Sequence, residues 1–193
     1  MVTGPSIRDF TILKSFNVST HHPNAPKIIE VIWSPPILHW TKCNTNGSAL
    51  GSPGQPACAG IFRNNHGESL GCFAANLGIS NSFYAELMVV ILAVECAMER
   101  NWKNLWIESD SKLANLAIKS PNIVPWQLKN RWLNCVHLMS NMNCIITHIY
   151  KEGNHCAEKL ARLGLALNSF VWWNSPPMDI REDLVNNRLG LPF

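Results

Sequence analysis

Three carboxylates and one amide stand where predicted strands end or predicted helices begin, which is where functional groups gather in an open α/β sheet. They are Glu86 in the first turns of a long helix, Asp110 directly after a short strand, Glu158 early in the last helix, and Asn46 near the end of the first strand. Carboxylates that meet at a sheet edge repel one another unless a cation lies between them. Mg²⁺ prefers oxygen ligands and is commonly held by carboxylates together with substrate phosphates. Two such ions about 3.5–4 Å apart promote phosphodiester cleavage, so the pattern is typical of that chemistry.

Each of these residues also has a simpler structural explanation. A carboxylate near a helix N-terminus, such as Glu86, interacts favourably with the helix dipole. Asp110 is suited to cap a helix, and Glu158 is spaced to pair with Lys151 or Arg162 on a solvated helix. Taken one at a time, the structural explanation is the simpler one. The functional interpretation depends on the order of the four positions and on their local contexts.

The hydrophobic pattern predicts the elements that position these residues. Three strands come first, and Asn64–Gly67 has turn chemistry typical of a hairpin between the second and third. Later segments alternate between helix and strand. The predicted strands are 40–49, 57–64, 68–76, 105–108 and 144–150, and the predicted helices are 83–100, 111–118, 126–139 and 155–167. We therefore expect an α/β fold with a five-stranded mixed sheet, a three-strand antiparallel meander plus two parallel strands, and helices on both faces.

Composition divides the chain into three parts. Residues 1–36 contain five prolines and no sustained period, which indicates a Pro-rich N-terminal linker or remnant. Residues 37–168 form the predicted α/β domain. Residues 169–193 form a tail, with Trp172 and Trp173, that we expect to pack irregularly on the domain. Use of this Trp-rich tail for binding another protein stays a weaker alternative, because large aromatic side chains need burial.

The overall composition narrows the class of protein. The chain has 193 residues, 47% of them hydrophobic and 15% charged, which suits one α/β domain. Its formal net charge of +3 permits nucleic-acid binding but is too small to argue for it. Seven cysteines without a C-x-x-C pair favour buried free thiols over a zinc site or a disulfide framework. No secretory signal is visible, and the longest apolar run, Leu87–Val94, is shorter than the ~20 residues of a membrane span. We expect an intracellular protein, nuclear or cytosolic, without membrane contact and most simply monomeric.

Five short segments follow one another on the predicted elements in a recognisable order. They are Lys42–Ser48, Ala59–Asn64, Ala85–Leu87, Glu108–Ser111 and Lys151–Ala161. Together they resemble the RNase H-like domains of plant non-LTR retroelements, which accompany reverse transcriptases, and of similar plant host proteins. That family reads K-x-N-x-D-G at the first segment, A-E-L at the third, E-x-D-S at the fourth and R-E-G-N-x-x-A-D-x-L-A at the last. The resemblance covers about residues 30–193, including the Trp-Trp…Pro-Pro tail.

The resemblance implies an RNase H fold and cleavage of the RNA strand of an RNA–DNA hybrid with two Mg²⁺ ions. The metal-binding and catalytic positions of the family fall on Asn46, Glu86, Asp110 and Glu158. Two of them depart from the family, because Asn46 and Glu158 both stand where the family has Asp. A neutral amide cannot bridge two cations as a carboxylate does, whereas Glu158 keeps its charge on a longer side chain. We therefore expect hydrolysis to be weakened or lost.

By the same resemblance, the partner is an RNA–DNA hybrid or another nucleic acid. We expect a meander face and the basic residues Lys42, Arg63 and Lys151 to contact it, since such contacts go mostly to phosphate and sugar. Many enzymes of this fold carry a mobile His near the last strand, and neither His148 nor His155 is assigned that role. Two alternatives to a working nuclease stay open, namely a non-catalytic nucleic-acid-binding module and a retroelement remnant.

Overall fold

The computed structural model describes residues 11–12, 14–16, 30–51 and 54–192. The chain divides into two compact units, residues 1–30 and Val31–Phe193. In the first unit, residues 11–12 and 14–15 are helical. Most of the predicted linker lies outside the described residues. Its last part belongs to the second unit, where Trp33 is buried.

A six-stranded mixed sheet forms the centre of the second unit. Its strands are β1 Thr41–Gly51, β2 Gly54–Arg63, β3 Ser69–Asn76, β4 Asn104–Ser109, β5 Asn143–His148 and β6 Val171–Trp173. They lie in the order β5-β4-β1-β2-β3-β6. β1, β2 and β3 form an antiparallel meander, and β4 and β5 continue the sheet in parallel from β1. The predicted meander and the two predicted parallel strands are therefore confirmed.

The sixth strand corrects the prediction of five strands and an irregular tail. β6 pairs antiparallel with β3, with Phe73 opposite Trp172. The Trp172 ring lies against Gly71, where any Cβ would collide with the ring. Three residues are too few to show an alternating pattern. Strand β6 is defined by its fit onto β3 and not by a period in its own sequence.

Within residues 30–51 and 54–192, five α-helices pack around the sheet. They are α1 Ser82–Glu99, α2 Lys112–Lys119, α3 Trp126–Ser140, α4 His155–Gly164 and α5 Arg181–Arg188. The Asn81 side chain accepts a hydrogen bond from the Tyr84 N–H and so fixes the start of α1. The predicted helix 155–167 ends earlier, at Gly164, which lies closely over Ala57 of β2. Helix α5 has no counterpart among the predicted elements.

The two faces of the sheet carry different helices. α1, backed by α2 and α3, covers the face to which Cys43 and Phe62 point. α4 covers the other face, to which Ile61 points. Since successive residues of a strand point to opposite faces, Asn44 and Asn46 lie on the α4 side. A row of polar residues on β1 therefore lies beneath α4.

Two further features concern the chain as a whole. All seven cysteines are free thiols, and six of them are buried. Among the helices of the described residues, none combines the length and the apolar composition needed to cross a bilayer.

Candidate active site

The four predicted site positions converge at one end of the sheet, where β1 and β4 run side by side. The parallel register pairs Asn44 with Glu108, and its continuation brings Asn46 level with Asp110. Glu86 enters from α1, and Glu158 lies in the first turn of α4. Asp110 interacts electrostatically with both Glu86 and Glu158. We call Asn46, Glu86, Asp110 and Glu158 the carboxylate site.

Gly47 allows α1 to approach β1 at this point. A Cβ on Gly47 would lie 2.8 Å from the Glu86 backbone nitrogen and 3.0 Å from its carboxyl carbon. The Gly47 backbone N–H also faces the Glu86 carboxylate and acts to lower its pKa. Glycine is therefore required for the contact that positions Glu86. The family segment contains this glycine, but its spacing alone does not reveal the contact.

Glu86 and Asp110 are two carboxyl groups held together in a poorly solvated place. Burial, together with the nearby Asp110 charge, raises the pKa of Glu86 to about 8, although the Gly47 N–H acts in the opposite direction. The pKa of Asp110 is also raised, mainly by burial, while Lys151 and His148 partly offset the shift. Glu86 Oε2 and Asp110 Oδ1 are buried without a hydrogen-bond partner. Two buried acceptor oxygens without donors fit a divalent cation, which supplies the missing positive charge.

The other two positions do not extend this pair into a larger ligand set. Asn46 is buried and neutral. The Glu158 Oε1 atom lies 2.7 Å from an Arg162 Nη2 and 3.4 Å from Lys151 Nζ, so two cations already balance its charge. Within the described residues, no group of three or more His, Cys, Asp or Glu could hold a metal ion. The residues therefore fit one cation between Glu86 and Asp110 and do not fit an ion bridged by a third carboxylate.

Lys42 is not on the surface, contrary to the prediction that it contacts nucleic acid. Its side chain is 1% exposed and lies 2.9 Å from Glu108 Oε1. Its Nζ also donates to the Ser34 carbonyl oxygen at 2.7 Å and lies 3.6 Å from the centre of the Trp106 ring. Burial lowers the pKa of Lys42, and the Glu108 carboxylate partly restores it. The ammonium is thus used inside the protein and is closed to a phosphate.

Arg63 on β2 lies directly opposite Lys42 on β1, so the two side chains point to the same face of the sheet. Its guanidinium is also buried and stacks 3.5 Å from the centre of the Trp33 ring. One nitrogen donates to Asn187 Oδ1 and another to Asn44 Oδ1, each at 2.7 Å. Burial thus closes the guanidinium of Arg63 to a phosphate, contrary to the prediction that it contacts nucleic acid. The alternation of strand residues points both cations inward, where Trp33 and α5 cover them.

Of the three predicted basic contacts, Lys151 alone is accessible. Its side chain is 67% exposed at the rim of the carboxylate site. His148 is also exposed and packs edge-on against Tyr150. These residues leave positive charge and an aromatic ring beside Asp110.

A buried polar layer lies directly beneath the carboxylate site. Asn44 Nδ2 donates to Glu108 Oε2 at 3.1 Å and to Asn154 Oδ1 at 3.3 Å. Asn154 Nδ2 donates to the Thr45 carbonyl oxygen at 2.9 Å. We call Asn44, Glu108 and Asn154 the polar junction. All three lie in the segments that carry the family resemblance, but sequence reasoning gave them no role.

The sequence is similar to that of a known protein family and to that of a plant protein. A family model described as reverse transcriptase-like matches residues 44–164. A candidate ribonuclease H protein of Arabidopsis thaliana is 28% identical over 146 residues, which are 74% of this chain. This chain spans 23% of the length of that protein.

Solved structures of low sequence identity share the fold. RNase H1 of Halobacterium salinarum aligns with a TM-score of 0.59 at 20% identity, covering 66% of this chain and 98% of its own. LC11-RNase H1, isolated from compost and solved in complex with an RNA/DNA hybrid, aligns with a TM-score of 0.58 at 21% identity. That alignment covers 65% of this chain and 96% of the other. The fold is therefore the RNase H-like fold.

Proposed function

The chain belongs to the reverse transcriptase-like family, and we propose that its RNase H-like domain binds RNA–DNA hybrids, with cleavage of the RNA strand weakened or lost. The observation that carries this proposal is the pairing of Glu86 and Asp110, each with a buried oxygen without a partner, beside the neutral Asn46. Glu86 and Asp110 are two of the four cation-binding positions that the family resemblance implies. The amide removes the charge that a second cation would need.

Glu86 and Asp110 are the residues that would hold Mg²⁺. When bound, Mg²⁺ supplies a Lewis acid that polarises the phosphate and makes a bound water a better nucleophile. Asn46 contributes one carbonyl oxygen and no charge. Glu158 is drawn toward Arg162 and Lys151, so its use at the site requires those ion pairs to open. Both features lower the affinity for cations.

Hybrid binding uses contacts to phosphate, sugar and 2′-hydroxyl groups, and so does not require a complete set of cation ligands. LC11-RNase H1, which has the same fold, was solved with an RNA/DNA hybrid, and this supports the same class of partner here. The exposed ammonium of Lys151 suits a phosphate at the rim of the site. The 2′-hydroxyl groups of the RNA strand distinguish a hybrid from duplex DNA.

A non-catalytic binding module is the second candidate function. It is favoured by the low charge of the carboxylate site in the absence of a cation. Asn46 is neutral, Glu158 is paired with two cations, and the raised pKa of Glu86 leaves most of that group protonated at pH 7. Repulsion between the site and a nucleic-acid phosphate is correspondingly small.

One assay separates the two functions. A labelled RNA–DNA hybrid is incubated with the wild type, with Asn46→Asp and with Asn46→Asp/Glu86→Gln, in Mg²⁺ and in Mn²⁺. We expect little or no cleavage by the wild type, restored cleavage by Asn46→Asp and loss again in the double variant. Robust wild-type cleavage would instead establish a working ribonuclease that tolerates the amide.

Binding is measured in parallel by fluorescence anisotropy on hybrid and on duplex DNA of one sequence. A preference for the hybrid without cleavage by any variant supports the binding module. Weak binding without preference contradicts the proposal and matches a retroelement remnant.

A further inference from the structure

We propose that Asn154 is a positioning residue, which sets the place of Glu158 relative to Asn46 and Asp110 through the polar junction. This inference rests on the proposed function, since it concerns the geometry of the same carboxylate site. It assigns a role to a buried amide that binds neither cation nor substrate.

The junction touches three of the four elements that carry the carboxylate site. Asn44 lies on β1 two residues before Asn46, and Glu108 lies on β4 two residues before Asp110. Asn154 directly precedes α4, and its carbonyl oxygen accepts the hydrogen bond of the Glu158 N–H at 3.1 Å. The direct hydrogen bonds among these residues therefore connect β1, β4 and α4.

Each junction residue lies close along the chain to a residue of the carboxylate site. Two residues of a β-strand advance about 6.6 Å, and four residues of an α-helix advance about 6 Å. Asn46, Asp110 and Glu158 thus each lie one short step along their own element from a junction residue. A shift of α4 at Asn154 is passed on to Glu158 because the helix is rigid over a single turn.

The junction is buried enough to act as a rigid connection. Asn44 is 0% exposed and Asn154 is 2% exposed. Asn44 makes four side-chain hydrogen bonds, to Glu108, Asn154, Trp33 and Arg63. In a low-dielectric interior, an unmade hydrogen bond costs the full desolvation of the group left behind. Asn154 therefore has one favourable side-chain orientation, with its amide nitrogen on the Thr45 carbonyl oxygen.

The chain contains a matched control at the other end of the same helix. Asn76 Nδ2 donates to the carbonyl oxygen of Leu165 at 3.1 Å, directly after α4 ends. Asn76 and Asn154 thus each hold α4 to the sheet through one amide-to-carbonyl hydrogen bond. Asn154 lies one helical turn before Glu158, whereas Asn76 holds Leu165, which is seven residues beyond Glu158, or ~10 Å along the helix.

The experiment measures Mn²⁺ affinity by electron paramagnetic resonance in the Asn46→Asp background. Asn154→Ala and Asn76→Ala are added to that background separately, and urea denaturation verifies folding. Asn44 and Asn154 of the junction also bond to Glu108 on β4 and to the Thr45 carbonyl oxygen on β1, and so hold the strand ends that carry Asp110 and position 46. Residues that orient metal ligands typically change metal affinity 10–100-fold when replaced. We expect Asn154→Ala to weaken Mn²⁺ binding by about 10-fold or more and Asn76→Ala to leave it within about twofold. Equal effects of the two variants on Mn²⁺ affinity would overturn the positioning role. So would no effect of Asn154→Ala.

A second readout keeps the inference testable if no variant binds Mn²⁺, an outcome that would exclude a cation between Glu86 and Asp110 and favour the non-catalytic binding module. The ¹³C chemical shifts of the Glu158 and Asp110 carboxyl groups report their surroundings directly. Asn154→Ala should move both shifts, and Asn76→Ala should move neither. Unchanged shifts in Asn154→Ala would overturn the inference whatever the metal does. If Asn154→Ala does not fold, Asn154→Ser, which loses the amide donor to Thr45 and adds no charge, replaces it in both measurements.

Discussion

Replacing Lys42 with methionine should destabilise the domain and leave its affinity for nucleic acid unchanged. Methionine preserves most of the aliphatic stem but removes the ammonium that bonds to Glu108 at 2.9 Å and to the Ser34 carbonyl oxygen at 2.7 Å. The side chains of Lys42 and Glu108 are only 1% and 11% exposed. Removing one partner therefore leaves a carboxylate buried without its counter-charge.

The expected size follows from that burial. Breaking a buried ion pair at one side costs about 3–5 kcal/mol, which for a domain of this size lowers the melting temperature by about 6–20 °C. Urea denaturation followed by tryptophan fluorescence measures the loss, since Trp33 and Trp106 both lie close to the Lys42 ammonium. The double variant Lys42→Met/Glu108→Gln should recover most of the stability, because it removes both charges and keeps an acceptor for Asn44.

The same variant tests the corrected role of Lys42. A lysine that contacts phosphate contributes about one unit to the slope of log affinity against log salt concentration. We expect that slope to be unchanged in Lys42→Met, measured by anisotropy on an RNA–DNA hybrid at a temperature where the variant is folded. A stability loss below about 1 kcal/mol together with a shallower slope would refute the burial argument and return Lys42 to the binding surface.

Three further predictions follow from the carboxylate site. Glu86 keeps its proton to about pH 8 in the folded protein but only to its ordinary pKa of 4.5 when unfolded, so the folded state binds more protons and stability falls as pH rises between those values. Urea denaturation at pH 5, 6.5 and 8 should show a smaller fall for Glu86→Gln, and equal falls would contradict the assigned pKa. Gly47→Ala should cost about 1–3 kcal/mol, because its Cβ would lie 2.8 Å from the Glu86 nitrogen, and a neutral effect in thermal unfolding would show that α1 can move away. Lys151→Ala should weaken hybrid binding and reduce the salt slope by about one unit without loss of stability, whereas an unchanged slope would exclude Lys151 from phosphate contact.

The sequence was sufficient for β1 to β5, for α1 to α4 and for the convergence of the site, but not for β6 and α5. Glu86, Asp110 and Glu158 stand at helix starts and strand ends, and parallel pairing of β1 with β4 brings Asn46 level with Asp110. The inward direction of Arg63 could not be predicted. An arginine on a strand is ordinarily expected on the surface, and the groups that receive its hydrogen bonds, Asn44 and Asn187, are 19 and 124 residues away.

The polar junction could not be predicted from the sequence, for a related reason. Asn44, Glu108 and Asn154 each look like surface residues in their own segment, because Asn and Glu are seldom fully buried unless they are paired. Their burial depends on register between β1 and β4 and on the position where α4 begins. Both are long-range properties, so the hydrogen-bond partners become visible only when the three segments are assembled.

The low negative charge of the carboxylate site affects both cation binding and the proposed binding of a hybrid. In a site built around cations, several ionised carboxylates raise the affinity for metal and also repel the substrate phosphate when metal is absent. Here the amide of Asn46 removes one of those charges, and the ion pairs of Glu158 offset another. Glu86 adds little charge near pH 7 because its pKa is about 8. Asn46 and the ion pairs of Glu158 thus leave fewer charged ligands for a cation and also reduce the repulsion between the site and a phosphate. We therefore expect hybrid binding to depend less on Mg²⁺ in the wild type than in Asn46→Asp. Anisotropy with and without a chelator measures that difference, and an equal dependence on Mg²⁺ in the two proteins would contradict the electrostatic argument.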